Sequence, residues 1–94
     1  MGKADDYLMV KMSTPEKVLF EGQALSLSSI NAKGDFNMMV DHTNFITVIK
    51  DKLILFLDHD QQREFDVDMG ILRCFDNNIE VFLGIKVLTD ASDV

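Results

Sequence analysis

Two short clusters, Asp41-His42 and Asp58-His59-Asp60, hold the side chains best suited to binding a metal or moving a proton. Imidazole and carboxylate both ligate zinc and iron, and a positioned histidine is the commonest general base. Neighbouring residues on an extended strand point to opposite faces, so neither cluster chelates alone; both would have to converge on a third ligand. The plainer expectations are a solvated hairpin turn at 58–60 and a loop with a capping or hydrogen-bonding histidine at 41–42. Ser26, Ser28 and Ser29 lack the Gly-x-Ser-x-Gly elbow of an activated serine. Cys74 is the single cysteine, so it forms no internal disulfide, and a reduced packing thiol is expected. The glycines stand isolated at 2, 22, 34, 70 and 84, which is no phosphate-cradling loop. No catalytic residue, metal or cofactor is therefore expected, although a small metal-dependent enzyme using the Asp/His loops stays open as the competing class.

Composition narrows the partners. The 94 residues are one domain, 1–94, with flexible ends expected at about 1–6 and 90–94. Sixteen acidic against nine basic residues leave a charge of −7, which disfavours nucleic acid and anionic lipid. Any membrane association should go through a protein partner. No apolar run approaches the ~20 residues that span a bilayer, and the N-terminus reads as neither signal nor transit segment. A soluble protein in a reducing cytosol is expected.

The elements that would position these residues are β-strands. Leu8, Val10 and Met12 alternate up to Pro15; Val18 and Phe20 resume; Leu25 to Ser28 alternates again; Asn31-Ala32-Lys33-Gly34 is a turn by composition. Residues 45–49 and 53–57 read as neighbouring strands separated by Lys50-Asp51-Lys52. Phe65, Val67 and Met69 should face one way, opposite Glu64, Asp66 and Asp68. After Gly70 come a strand at 71–75, a tight turn at Asp76-Asn77-Asn78, and a last strand at 79–88 with a bulge at Gly84. Many short strands and no helical spacing predict an all-β sandwich or barrel. Residues 45–49 and 53–57 are more apolar than a half-wet strand requires. Either the rest of the domain covers their outer face or a partner does; for so small a chain we favour the partner.

The run Thr14-Pro15-Glu16-Lys17-Val18-Leu19-Phe20-Glu21-Gly22, then Gly34-Asp35-Phe36 and His42, resembles the opening of the epsilon subunit of F-type ATP synthases. The family reads Thr/Ser-Pro-Glu-x-x-Leu/Met-Phe-x-Gly, then Gly-Glu-Phe/Leu-Gly-Ile-x-Pro-Gly-His-Ala-Pro-Leu. Phe65 to Cys74 and Asn78 to Phe82 also resemble family segments, so the likeness covers most of the chain. It implies the amino-terminal β-sandwich domain, two five-stranded sheets and about ten short strands. It further implies a non-catalytic central-stalk subunit between the gamma subunit and the c-subunit ring, coupling ion flow to ATP synthesis. Such a subunit sits at the cytoplasmic face of the bacterial membrane and is held there by the complex. Gly34, Asp35, Phe36 and His42 would form the ring-facing end, and Phe45, Ile49, Leu53, Leu55 and Leu57 are candidates for the gamma contact. The loop departs from the family where Asn37 and Asp41 replace glycines and Val40 and Asn44 replace prolines. The family's carboxy-terminal helices have no counterpart here, so their inhibitory and nucleotide-binding roles are not expected of these residues. A free-standing β-sandwich binding module is the alternative.

Overall fold

A computed structural model describes residues 7–41, 43–58 and 60–84. All regular structure in them is β: β1 (Leu8–Ser13), β2 (Val18–Ala24), β3 (Ser26–Asn31), β4 (Gly34–Met39), β5 (Phe45–Phe56), β6 (Gln62–Phe75) and β7 (Asn78–Leu83). They form one mixed sheet in the order β2-β1-β7-β6-β5-β3-β4, with β1 and β7 parallel and the other neighbours antiparallel.

Local chemistry makes the turns. Thr14 Oγ1 accepts the amides of Glu16 and Lys17, each at 3.2 Å, so Thr-Pro-Glu-Lys is the polar turn between β1 and β2. Asn31 Oδ1 accepts the Lys33 amide at 2.9 Å, and Gly34, at φ 119°, completes the β3–β4 turn. Asp76 and Asn77 both have positive φ, 51° and 68°, as a type I′ hairpin between twisted strands requires.

Two breaks expected from the sequence are bends, so the described residues hold seven strands, fewer and longer than the ten or so that the resemblance implied. Residues 45–49 and 53–56 belong to one β5, and 63–69 and 71–75 to one β6. Ile49 pairs with Gly70 and Asp51 with Val67, so β6 carries one more residue than β5 across that step. A bulge of this kind bends and twists a strand without ending it. It also switches the inward phase. Val67 lies inward before the bulge and Gly70, Leu72 and Cys74 after it, while Met69, expected to share a face with Phe65 and Val67, is turned outward and 42% exposed.

The bend divides the sheet into two layers. One contains β2, β1, β7, residues 70–75 of β6 and 45–49 of β5; the other contains residues 62–67 of β6, 51–56 of β5, β3 and β4. Leu8, Met12 and Val81 of the first layer and Leu27, Met38 and Leu55 of the second are completely buried in one cluster. An open sheet leaves one side of its strands wet, so burial at both ends means that the bent sheet closes over a shared core. Contacts across the fold agree. The rings of Phe36 and Phe45 meet edge to face, centroids 6.2 Å apart, and the Arg63 guanidinium lies 5.7 Å from the Phe20 ring and 5.2 Å from that of Phe65. β2 and β6 are not neighbours in the sheet, so Arg63 ties one layer's edge to the other layer. The expected continuation of the last strand to residue 88 and the expected flexible ends lie outside the described residues.

Candidate partner-binding surfaces

Several of the groups able to do chemistry are occupied structurally. Asp58 Oδ1 accepts the amides of Asp60 at 2.9 Å and Gln61 at 3.0 Å, which spends this carboxylate on the β5–β6 turn. His42 and His59 lie outside the described residues, and among those described no group of three His, Cys, Asp or Glu could hold a metal ion. Ser29 is buried and donates to the Lys52 carbonyl at 2.7 Å, whereas Ser28 Oγ accepts from Asn37 Nδ2 at 2.6 Å. Cys74 is buried, and burial pushes its thiol up; the Asp76 charge adds to this and a hydrogen bond from the Asn77 backbone opposes it. A raised thiol holds less thiolate, the reverse of what a nucleophile needs.

Gly34, Asp35 and Phe36 divide three tasks along the start of β4. Gly34 makes the turn, Asp35 is exposed, and half-buried Phe36 packs against the core and on Phe45. Asp35 lines an open groove of about 360 Å³ with Ser28, Asn37, Lys52 and Ile54. Val40, Asp41, Thr43 and Asn44 lie at the other end of β4. At ~3.3 Å per residue the strand puts roughly 20 Å between Asp35 and Asp41. Asp35 and the described part of the β4–β5 loop thus stand at opposite ends of β4, and His42, expected at the end that holds Asp35, lies outside the described residues. That loop is bound instead to the β6–β7 turn: the Asp41 amide donates to Asn77 Oδ1 at 2.7 Å and the Asp76 amide to Asn44 Oδ1 at 2.8 Å.

Along β5 the strand expected to meet gamma is present, but the named side chains point inward. Ile49, Leu53 and Leu55 are completely buried, and Phe45 and Leu57 are half-buried against the core. Ile49, Leu53 and Leu55 have no surface left for a partner, which corrects their assignment as contacts, whereas Phe45 and Leu57 keep part of theirs. The outward residues are Ile46, 65% exposed, and Val48, 49% exposed. Val48 stands beside Ile71 and Ile71 beside Phe82, while Phe75 is 52% exposed nearer the strand end. A charged row, Arg73, Glu80, Lys11 and Glu21, crosses the same face, with Arg73 and Glu80 paired at 3.2 Å. Sequence reasoning missed Ile71, Phe75 and Phe82. The signal for them was faint, because residues 45–49 are apolar in both phases and the phase of 71–75 depends on the bulge before it.

The domain is thus a folded-over β-sheet with one outer face rich in exposed apolar side chains. Residues 7–85 match the model of the ATP synthase Delta/Epsilon chain β-sandwich domain, and the chain belongs to that family. It is 26% identical over 90 residues to the ATP synthase epsilon chain of Clostridium botulinum strain Eklund 17B, covering 95% of this chain and 67% of that one. With the epsilon chain of Clostridium novyi it shares 31% identity over 87 residues, 89% of this chain and 60% of the relative. Among solved structures, a chain of the Euglena gracilis mitochondrial ATP synthase OSCP/F1/c-ring assembly superposes with a TM-score of 0.78 at 7% identity, over 87% of this chain and 53% of that one. A chain of the Tetrahymena thermophila mitochondrial ATP synthase central stalk/c-ring gives 0.66 at 13% identity, over 80% and 61%. At those identities the structural likeness is one of fold, and the chain spans little more than half of the Euglena neighbour's length.

Proposed function

We propose that this chain is a non-catalytic central-stalk subunit of an F-type ATP synthase that links the gamma shaft to the c-subunit ring and so couples ion translocation to ATP synthesis. The observation that carries the reading is the outer face holding Ile46, Val48, Ile71, Phe75 and Phe82, in a domain of the Delta/Epsilon chain family. Withdrawing one such side chain fully from water contributes about 1.5–3 kcal/mol, so a shaft subunit seated on this face would be held chiefly by apolar contact. Torque transmission needs stiffness, which a close-packed core supplies.

The ring contact in this reading is assigned to Gly34, Asp35 and Phe36: the glycine turns the chain, the carboxylate faces the polar loops of the ring, and the phenylalanine anchors the hairpin. An exposed ion pair there is worth only ~0–1 kcal/mol, so it orients more than it holds. No helix among the described residues is long and apolar enough to cross a membrane. With a charge of −7, attachment at the cytoplasmic face of a bacterial membrane would come through the complex.

Co-expression with the gamma and c subunits tests the reading. The chain should co-purify with both, and ATP-driven ion pumping in reconstituted vesicles should fall slightly for Asp35→Asn and further for Asp35→Lys. Failure to co-purify would remove the central-stalk role, whereas normal pumping with Asp35→Lys would remove only the ring contact.

A further inference from the structure

The paired hydrogen bonds between the β4–β5 loop and the β6–β7 turn do more than fill a gap. Each asparagine side chain accepts a backbone amide of the other segment: Asn77 Oδ1 from Asp41 at 2.7 Å and Asn44 Oδ1 from Asp76 at 2.8 Å. The Asn77 carbonyl accepts the Met9 amide at 2.9 Å, so β1 enters the same junction. Asp41, Asp76 and Asn77 all have positive φ, which Asp and Asn tolerate, and the two bonds tie the turns so formed to each other beyond the ends of the strand ladders. The sequence lacks, at Val40 and Asn44, the prolines of the loop it resembles, and with them their restriction of φ.

What the junction holds in place is the edge of the apolar face. Ile46 and Phe75, 65% and 52% exposed, each lie within two residues of a clamped amide or of a clamping asparagine. Ile46 pairs with Arg73, two residues before Phe75, so Ile46 and Phe75 are diagonal neighbours on one outer face. The ladder holds Ile46 against Arg73 and Phe75 against Asn78, and the junction fixes the strand ends just beyond these pairs.

We propose that Asn44 and Asn77 are positioning residues: together they lock the β4–β5 loop to the β6–β7 turn and so preset Ile46 and Phe75 for the gamma subunit, a role that rests on the shaft-binding reading above. A partner that meets the pair already placed does not have to order the loop as it binds.

Two readouts separate the clamp from its use. In the isolated chain, amide hydrogen exchange at Asp41 should quicken about threefold to tenfold in Asn77→Gly, the equivalent of one neutral hydrogen bond, and exchange at Asp76 should do so in Asn44→Ala. Glycine at 77 keeps the positive φ and removes only the acceptor. Asn77→Asp and Asn44→Asp keep an acceptor oxygen and should restore slow exchange. Binding of the purified gamma subunit should weaken with Asn77→Gly, mainly through faster dissociation, and recover with Asn77→Asp. Unchanged exchange in Asn77→Gly would overturn the clamp itself, whatever the partner. Faster exchange with unchanged gamma binding would overturn the positioning role. A wild-type chain that does not bind gamma would defeat both the shaft reading and the positioning role, while the exchange data would still decide the clamp.

Discussion

Gly34 and Gly70 exclude side chains for different physical reasons. A Cβ on Gly34 would meet nothing within 4 Å, but φ there is 119°, a conformation that side chains strain to adopt. Gly34→Val should therefore destabilise the chain by about 1–3 kcal/mol through the backbone alone. Gly70 is buried, and its Cβ would lie 2.6 Å from Leu83 Cδ2 and 3.0 Å from the Phe82 carbonyl oxygen. Gly70→Ala should cost about 1–3 kcal/mol by overpacking, and adding Leu83→Ala should cost less than the sum of the single changes. Urea unfolding of the four variants measures this, and strict additivity would show that Leu83 is not the obstacle. The first glycine was legible from its turn composition; the second read as a break between strands, because what surrounds it comes from β7 and β5. Cys74 gives a pH test. Its folded pKa is raised above the ordinary 9.0 by burial, so the unfolded chain loses this proton first and stability is lost as pH rises past about 9.0. Below that value both states keep the proton and the thiol adds no pH dependence. Cys74→Val should remove this part of the alkaline loss, seen as a flatter denaturation midpoint between mildly and strongly alkaline buffer.

At the scale of the element, β5 presents opposite consequences on its two faces. Leu55 is completely buried, so Leu55→Ala should cost about 2–5 kcal/mol and lower the urea midpoint whether or not a partner is present. Ile46, 65% exposed, loses little when changed in the free chain, so Ile46→Asp should leave stability within about 0.5 kcal/mol while abolishing co-purification with gamma. Retained co-purification would move the shaft contact to another face. Strand existence was plain in the residues, since alternation and β-branched runs mark it. Phase was not, because 45–49 is apolar on both sides and only the partner strands show which side is covered.

For the whole molecule the governing quantity is charge. The sequence carries −7, and the ion pair found among the described residues, Arg73 with Glu80, is exposed. Exposed pairs contribute ~0–1 kcal/mol, so self-repulsion should outweigh them in the folded state. Raising sodium chloride from low salt to about 0.3 M should screen that repulsion and raise the Tm by a few degrees. A fall in Tm would show that attractive pairs dominate instead.

By itself the sequence determined the all-β class, the turns and the family likeness, because these rest on local chemistry: alternation, Thr14 and Asn31 as turn acceptors, and Gly34 at positive φ. Tertiary structure alone decided that Lys50-Asp51-Lys52 and Gly70 mark bends and that Met69 turns outward, through one extra residue on β6 against β5. It also decided that Ile49, Leu53 and Leu55 serve the core while Ile46 and Phe75 face out, and that Asn44 meets Asn77. Each of these depends on which strands are neighbours and in what register. Pairing across tens of residues is set by the closure of the whole sheet over its core, and no local pattern encodes it.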